Sequence, residues 1–176
     1  MRLLKRSDFL YLVPALILLL VSAGGLARGG WLETMETVHT APALNLKDLD
    51  GVSYRISDLK GKTVLVNFWT TWCPPCIEEM PSLIRLAAEM SQEEFVILAV
   101  NVEENKRRVS NIAKRLNVTF PVLLDPKREA GNAWKVKVFP SSFLVDAQGR
   151  LRHKAIGPVE WDSDEITSIV NQLIQE

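Results

Sequence analysis

From Ala41 to the C-terminus, short apolar blocks alternate regularly with polar segments and turns. Two of these blocks, Thr63–Trp69 and Phe95–Val102, are nearly continuous and have the length typical of strands that are buried on both faces. Elsewhere the apolar residues recur at the spacing of one helix face. The predicted helices are Glu78–Met90, Lys106–Leu116 and a final helix that begins near Asp162 or Ser163.

Two turn sequences, Asp48–Gly51 and Asp146–Gly149, each lie between short apolar segments and predict β-hairpins. The flanking strands are Ala43–Leu46 and Val52–Ile56 for the first hairpin, and Ser142–Val145 and Leu151–Ala155 for the second. A short strand, Pro121–Leu124, and a short helix, Arg128–Trp134, precede the second hairpin. Strands that alternate with helices predict an α/β fold with a mixed sheet covered by helices.

The N-terminus has a different pattern, because residues 9–27 contain no charged side chain and are rich in leucine. As a helix this segment would extend about 29 Å, the thickness of one hydrocarbon core. The basic residues among positions 1–8 indicate a cytoplasmic tail, which places the rest of the chain outside. A cleaved signal peptide is the alternative to an anchor, since Val21-Ser22-Ala23 offers small residues for cleavage. Residues 28–40 show weak periodicity and are interpreted as a linker, so the folded domain is 41–176.

Composition excludes several other classes of protein. The 21 basic and 21 acidic residues give no net charge, so no strong positive field indicates nucleic-acid binding. Two cysteines allow at most one internal disulfide, and two histidines leave little for a zinc site made only of side chains. We therefore predict no metal site.

The two cysteines lie in the sequence Trp72-Cys73-Pro74-Pro75-Cys76, between a predicted strand and a predicted helix. The free N–H groups at a helix N-terminus stabilise a thiolate, and prolines fit the first turn of a helix. We expect Cys73 to be the outer, attacking thiolate and Cys76 to resolve the mixed disulfide. A static disulfide is the alternative. A haem-attachment site is excluded because Ile77, not histidine, follows the second cysteine.

These residues carry a resemblance to a known family. The segment Val64–Cys76, followed by Glu78-Glu79-Met80-Pro81, resembles the membrane-anchored thioredoxin-like proteins of the TlpA/ResA/CcmG group. The segments Asp48–Gly51, Leu59–Gly61 and Phe143–Gly149 are similar to that group as well. The resemblance covers the chain from Ala41 onward, and it implies a thioredoxin fold with an N-terminal β-hairpin and a central insertion.

The resemblance also implies a function. It implies dithiol–disulfide exchange outside the cytoplasmic membrane, with the Cys73–Cys76 pair as the redox centre and no other cofactor. The implied partners are proteins with disulfides, including apocytochrome c before haem attachment. A membrane thiol transporter of the DsbD/CcdA kind is the implied electron donor. We expect a single-pass protein of the bacterial cytoplasmic membrane, with its catalytic domain on the periplasmic or extracytoplasmic side.

Further site residues follow from the same resemblance. Pro140 matches the cis proline that faces the active cysteines in this family, and the Phe139-Pro140 segment would pair with a substrate strand. A trans proline at the start of a strand is the alternative. Trp72, Pro74 and Pro75 complete the predicted substrate-binding surface, with Trp72 covering Cys73.

Glu79 is the candidate acid–base group, because it lies one helical turn after Cys76 on the same face. A partly buried carboxylate there would have a raised pKa and could relay the proton of Cys76. A solvated glutamate in the first helical turn is the alternative. Asn67 occupies the position where cytoplasmic thioredoxins carry a titratable Asp, which makes Glu79 more important. Glu104 is a weaker candidate of the same kind, and a surface charge is the favoured interpretation of it.

Two rival functions have sequence requirements of their own. A thiol peroxidase would have the pattern Pro-x-x-x-Thr-x-x-Cys; Thr70 stands at the right distance from Cys73, but Val66 replaces the proline. A copper-binding assembly factor of the Sco type would need three residues between its cysteines and a well-placed later histidine. This chain has two residues between them, with His39 in the predicted linker and His153 in a hairpin strand.

Overall fold

The computed structural model describes residues 32–176, in which strands and helices alternate along most of the chain. In order they are β1 (Leu32–Thr40), β2 (Asn45–Asp48), β3 (Ser53–Arg55), a 3-10 helix (Ile56–Leu59), β4 (Thr63–Trp69), α1 (Pro74–Glu89), β5 (Phe95–Val102), α2 (Lys106–Arg115), β6 (Val122–Asp125), α3 (Glu129–Ala133), β7 (Ser141–Val145), β8 (Arg150–Ile156) and α4 (Asp164–Ile174). The predicted tail 1–8 and the predicted anchor or signal segment 9–27 lie outside the described residues. Among residues 32–176, no helix has the length and apolar character needed to span a bilayer.

The strands form one mixed sheet in the order β1-β8-β7-β4-β5-β6-β2-β3. The strands β4, β5 and β6 are parallel, whereas β7 and β8 are antiparallel to their neighbours. The predicted N-terminal hairpin is β2–β3, which pairs antiparallel with β6. Between β5 and β7 the chain inserts α2, β6 and α3, in agreement with the predicted central insertion. This arrangement confirms the expected thioredoxin-like α/β fold.

The central strand β4 separates two apolar cores, and all of its residues are buried. Leu65 and Trp69 belong to the core that also holds residues of α1, α2 and α4. Val64 and Phe68 belong to the second core, on the opposite face of the sheet. A strand covered on both faces needs no polar side, so β4 and β5 have the predicted boundaries without any correction.

Helix α1 begins at Pro74, four positions earlier than the apolar periodicity alone predicts. Pro74 and Pro75 occupy the first two helical positions, where the missing N–H groups are not needed for helical hydrogen bonds. Further along, Met80, Leu83 and Leu86 are buried against the sheet. This packing fixes the start of the helix, and therefore the cysteines, at the C-terminal end of β4.

The linker prediction is wrong for residues 32–40, which form the edge strand β1 paired antiparallel with β8. Only Leu32 and Met35 in β1 are half-buried, so the strand lacks the periodic apolar pattern on which the prediction depended. Backbone pairing holds β1 in place instead, together with an ion pair between Glu33 Oε2 and Lys154 Nζ at 3.1 Å. The folded domain therefore begins at residue 32 or earlier, not at residue 41.

We expect Leu83→Ala to lower the free energy of unfolding by about 3 kcal/mol, because it opens a cavity where α1 packs on the sheet. Leu83 has no exposed surface. Ile156→Ala is the matched control, because Ile156 is 52% exposed on β8 and its truncation removes little buried area. Urea unfolding of the oxidised protein measures both. Equal losses in the two variants would contradict the description of this core.

Candidate active site

Cys73 and Cys76 lie at the N-terminus of α1, directly after the turn that follows β4. They form a disulfide, and the Cys73 Sγ accepts a hydrogen bond from the backbone N–H of Cys76 at 3.3 Å, which caps the helix. Cys73 is 5% exposed and Cys76 is fully buried. The order of exposure is the one predicted for an outer attacking sulfur and an inner resolving sulfur.

The loop before β7 faces the cysteine loop. The Phe139-Pro140 peptide is cis, as predicted, and Pro140 is buried. The Trp72 and Phe139 rings meet edge to face, with their centroids 6.0 Å apart. Trp72 is 61% exposed, so it lies beside the cysteines on the surface and interacts with Phe139. Val138, which is not among the predicted site residues, is also largely exposed and precedes Phe139 in the chain.

Glu79 is buried, which excludes the solvated glutamate as an interpretation of this residue. Its Oε1 accepts a hydrogen bond from Asn67 Nδ2 at 2.7 Å. Its Oε2 accepts from the backbone N–H of Val159 at 3.2 Å and from Trp161 Nε1 at 3.3 Å. All three partners donate, so each of them stabilises the ionised carboxylate. Trp161 is fully buried in the core, and it also donates a hydrogen bond to this carboxylate.

Burial nevertheless dominates the acid–base behaviour of Glu79. Removal from water raises the pKa of Glu79 from 4.5 to about 7, although the hydrogen bonds from Asn67, Val159 and Trp161 lower it. A carboxyl group with a pKa near 7 can give or take a proton at physiological pH. Because Glu79 shares a helix face with Cys76, the raised pKa fits the predicted role in proton relay.

Asn67 connects three parts of the site. Its amide nitrogen donates to Glu79 on α1 and, at 2.9 Å, to Ser142 Oγ on β7. Asn67 lies on β4 at a position whose side chain reaches the α1 face of the sheet, as Leu65 and Trp69 do. The amide side chain of Asn67 cannot titrate. Its role in this site is to donate a hydrogen bond to the titratable carboxyl group of Glu79.

The surface interpretation of Glu104 is wrong, because only 5% of its side chain is exposed. Its carboxylate accepts from the backbone N–H of Thr71 at 2.6 Å and from the Thr71 hydroxyl at 2.5 Å. Glu104 follows β5, and the carboxyl ends of parallel strands meet at one edge of a sheet. Two buried strands joined by a helix form a parallel unit, and this is the signal in the sequence that could have placed Glu104 beside the cysteine turn.

Neither histidine approaches a cluster of possible metal ligands in the described part of the chain. His153 Nδ1 lies 3.3 Å from Thr34 Oγ1 at the β1–β8 pair, and His39 belongs to β1. Within residues 32–176 no group of three His, Cys, Asp or Glu side chains could hold a metal ion.

Comparison with known proteins identifies the family. The Redoxin family model matches residues 37–173 of the chain. The thiol-disulfide oxidoreductase ResA of Geobacillus thermodenitrificans is 37% identical over 153 residues, which cover 85% of this chain and 88% of that relative. The chain belongs to the Redoxin family, in its thioredoxin-like TlpA/ResA/CcmG group.

Other relatives agree with this assignment. The thiol-disulfide oxidoreductase ResA of Bacillus subtilis is 35% identical over 152 residues, 84% of this chain and 85% of that protein. A solved thiol:disulfide interchange protein of the thioredoxin family from Chlorobium tepidum is 28% identical, with a TM-score of 0.69 over 80% of this chain and 99% of that one. The protein is therefore a thiol-disulfide oxidoreductase, the enzyme class predicted ahead of the thiol peroxidase.

We expect the stability of the oxidised protein to fall by up to about 3 kcal/mol as the pH rises from 4.5 to 7, because of Glu79 alone. The raised pKa of Glu79 means that the folded state holds its proton more tightly than the unfolded state over this window. The contribution is therefore full below pH 4.5 and is lost as the pH passes about 7. Urea unfolding at a series of pH values measures it.

Glu79→Gln should flatten this part of the pH profile, because glutamine does not titrate. Its stability should also be lower throughout, since the glutamine amide would face N–H donors. Glu78→Gln is the matched control: Glu78 is the neighbouring residue, it is exposed, and it should leave the slope unchanged. A wild-type slope in Glu79→Gln would show that the carboxylate of Glu79 does not titrate in this range.

Proposed function

We propose that this oxidoreductase is a reductant of protein disulfides outside the cytoplasmic membrane, acting in cytochrome c maturation. The observation that carries the proposal is the buried Glu79 carboxyl one turn after Cys76 on the same helix face. A static disulfide needs no proton-transfer group beneath it, whereas a disulfide that opens and closes must release and recover the proton of its inner thiol. The ResA relatives support the same assignment.

The proposed reaction starts from the reduced pair. The Cys73 thiolate attacks one sulfur of the substrate disulfide, so that the Cys73–substrate bond forms and the substrate disulfide breaks. The departing substrate sulfur takes a proton. Glu79 then accepts the proton of Cys76, and the Cys76 thiolate attacks the Cys73 sulfur, so that the Cys73–Cys76 disulfide forms and the Cys73–substrate bond breaks. The released substrate sulfur takes the proton from Glu79, and the first substrate sulfur has taken its proton from solvent. The substrate leaves as a dithiol, having gained two electrons, and the enzyme retains the Cys73–Cys76 disulfide.

The surroundings of the pair favour the reductive direction. A strong oxidant needs a strongly stabilised thiolate in its reduced form. Here Glu79 is buried one helical turn after Cys76 on the same helix face, and in its ionised form it opposes a second negative charge. The reduced form is consequently not stabilised to the degree that an oxidant requires, and it passes its electrons to a partner.

The substrate surface consists of apolar groups around the buried cysteines. Trp72 and Phe139 form the contact across the two loops, and Pro74 and Pro75 border Cys73 on α1. We propose that a segment of apocytochrome c docks there before haem attachment, with the Phe139-Pro140 backbone pairing with it as a strand. Residues 9–27 would anchor the enzyme with its N-terminus inside. A DsbD/CcdA-type membrane thiol transporter would reduce the pair again.

We expect the reduction potential of the Cys73–Cys76 couple to lie well below that of strong periplasmic oxidants, which is about −120 mV. Equilibration of the protein with glutathione buffers, followed by alkylation and mass measurement, determines the potential. A value near that of the oxidants would contradict the reductive direction while leaving the enzyme class intact.

We expect Cys76→Ser to accumulate a mixed disulfide between Cys73 and apocytochrome c, because the resolving sulfur is missing. Cys73→Ser is the matched control: it retains one cysteine, but that cysteine is buried and should form no adduct. Capture in cells that make c-type cytochromes, followed by identification of the partner, measures this. Adducts that contain other proteins but never apocytochrome c would refute the proposed substrate.

A further inference from the structure

The Glu104 carboxylate accepts more hydrogen bonds than a solvent-exposed glutamate on the protein surface would need. Besides the two contacts with Thr71, its Oε2 accepts from Asn101 Nδ2 at 2.8 Å. The third residue in contact is Arg108, which forms an ion pair with Glu104, with 3.3 Å between Arg108 Nε and Glu104 Oε1. Every partner is a donor at these contacts, so the site is built for a carboxylate anion.

This carboxylate holds the loop that carries the attacking cysteine. Thr71 lies in the turn between β4 and α1, and the backbone N–H of Cys73 donates to the Thr70 carbonyl at 3.4 Å to close that turn. Glu104 binds the turn from the neighbouring strand end through the backbone and the hydroxyl of Thr71. The negative charge of Glu104 is thereby attached to Thr71, which lies two residues before Cys73 in the chain.

Arg108 supplies the opposite charge on the same turn. Its Nε donates to the Thr71 hydroxyl at 2.6 Å as well as contacting Glu104. The side chain is 56% exposed, so the run Lys106-Arg107-Arg108 is not merely the solvated helix face that its composition indicates. The side chain of Arg108 contacts the turn before Cys73 and forms an ion pair with Glu104.

We propose that Glu104 and Arg108 are positioning residues that set the thiolate stability of Cys73 through two opposed charges held on Thr71. This inference rests on the proposed attacking role of Cys73. The Glu104 carboxylate disfavours a thiolate on the same turn, and the Arg108 guanidinium favours one. The effects of the two charges on the Cys73 thiolate nearly cancel. The N-terminus of α1 therefore remains the main source of stabilisation for that thiolate.

The other charged groups around Cys73 belong to separate elements. Glu79 is buried on α1, one turn after Cys76. Arg128 is at the start of α3, where its Cζ lies 5.6 Å from the centre of the Phe139 ring. Arg128 is itself paired with Glu103, at 2.8 Å between Nη1 and Oε2. Removing one member of the Glu104–Arg108 pair would therefore change one charge at the turn and leave these groups in place.

The experiment measures the apparent pKa of Cys73 from the pH dependence of alkylation of the reduced protein by iodoacetamide. Glu104→Gln leaves Arg108 unbalanced and should lower the pKa of Cys73. Arg108→Gln leaves Glu104 unbalanced and should raise the pKa of Cys73. Each change should alter the thiolate fraction below the pKa by about threefold, and the double variant should return it close to the wild-type value.

The opposite signs separate this inference from a merely structural role. A turn loosened by either substitution would shift the pKa of Cys73 in the same direction in both variants, which would overturn the inference. Glu89→Gln and Arg115→Gln are the controls, because these exposed residues lie at the far ends of α1 and α2 and carry the same charge changes. A shift of similar size in the controls would also overturn it.

Two further measurements distinguish a failure of this inference from a failure of the proposed function. Repeating the series in Glu79→Gln removes the titration of the buried carboxyl from the alkylation profile. Mass analysis identifies which cysteine is alkylated first: if Cys76 reacts before Cys73, the proposed function fails in its assignment of roles. If Cys73 reacts first but its pKa does not move in opposite directions, the inference about Glu104 and Arg108 fails alone.

Discussion

The burial of the Glu79 carboxyl is the interaction on which the arrangement of the site depends. A buried carboxylate is expensive unless donors surround it, and here the donors come from β4 through Asn67 and from the segment before α4 through Val159 and Trp161. Strand β4 and the segment before α4 must therefore keep fixed positions relative to α1. The same packing that completes the core also holds an ionisable group with a pKa of about 7 on α1, one turn after Cys76.

The hydrogen-bond donors lower the pKa of Glu79 and its burial raises it. The balance of the two effects lets the carboxyl group exchange a proton near neutral pH. Full burial without donors would keep Glu79 protonated, and an exposed position would keep it ionised. Three donated hydrogen bonds against strong desolvation leave the pKa at about 7. Asn67 is central to this balance, because it binds Glu79 and Ser142 at once and carries no charge of its own.

The second constraint is the edge of the sheet where β4 and β5 end together. Parallel pairing of these strands delivers the cysteine turn and Glu104 to one place. The carboxylate then binds the backbone of that turn, with Arg108 from α2 closing the cluster. Two glutamates thus lie in the elements around the cysteine pair: Glu79 is buried on α1 one turn after Cys76, and Glu104 binds the turn before Cys73.

The sequence by itself determined the parts of this protein that depend on local chemistry and on long apolar runs. The cysteine motif, the boundaries of β4 and β5 and the helix-initiating prolines are all visible in short segments, because each reflects a local preference or a strand covered on both faces. The cis proline is expected only from the family resemblance, since the position of Pro140 by itself leaves a trans peptide open. Only the tertiary structure decided that Glu79 is buried and that Glu104 and Arg108 converge on Thr71. It also decided that residues 32–40 form β1, which is held by backbone pairing with β8 and lacks an apolar stripe. Contacts between residues distant in the chain leave no periodic signal, so the partners of a charged side chain emerge only when the sheet is assembled.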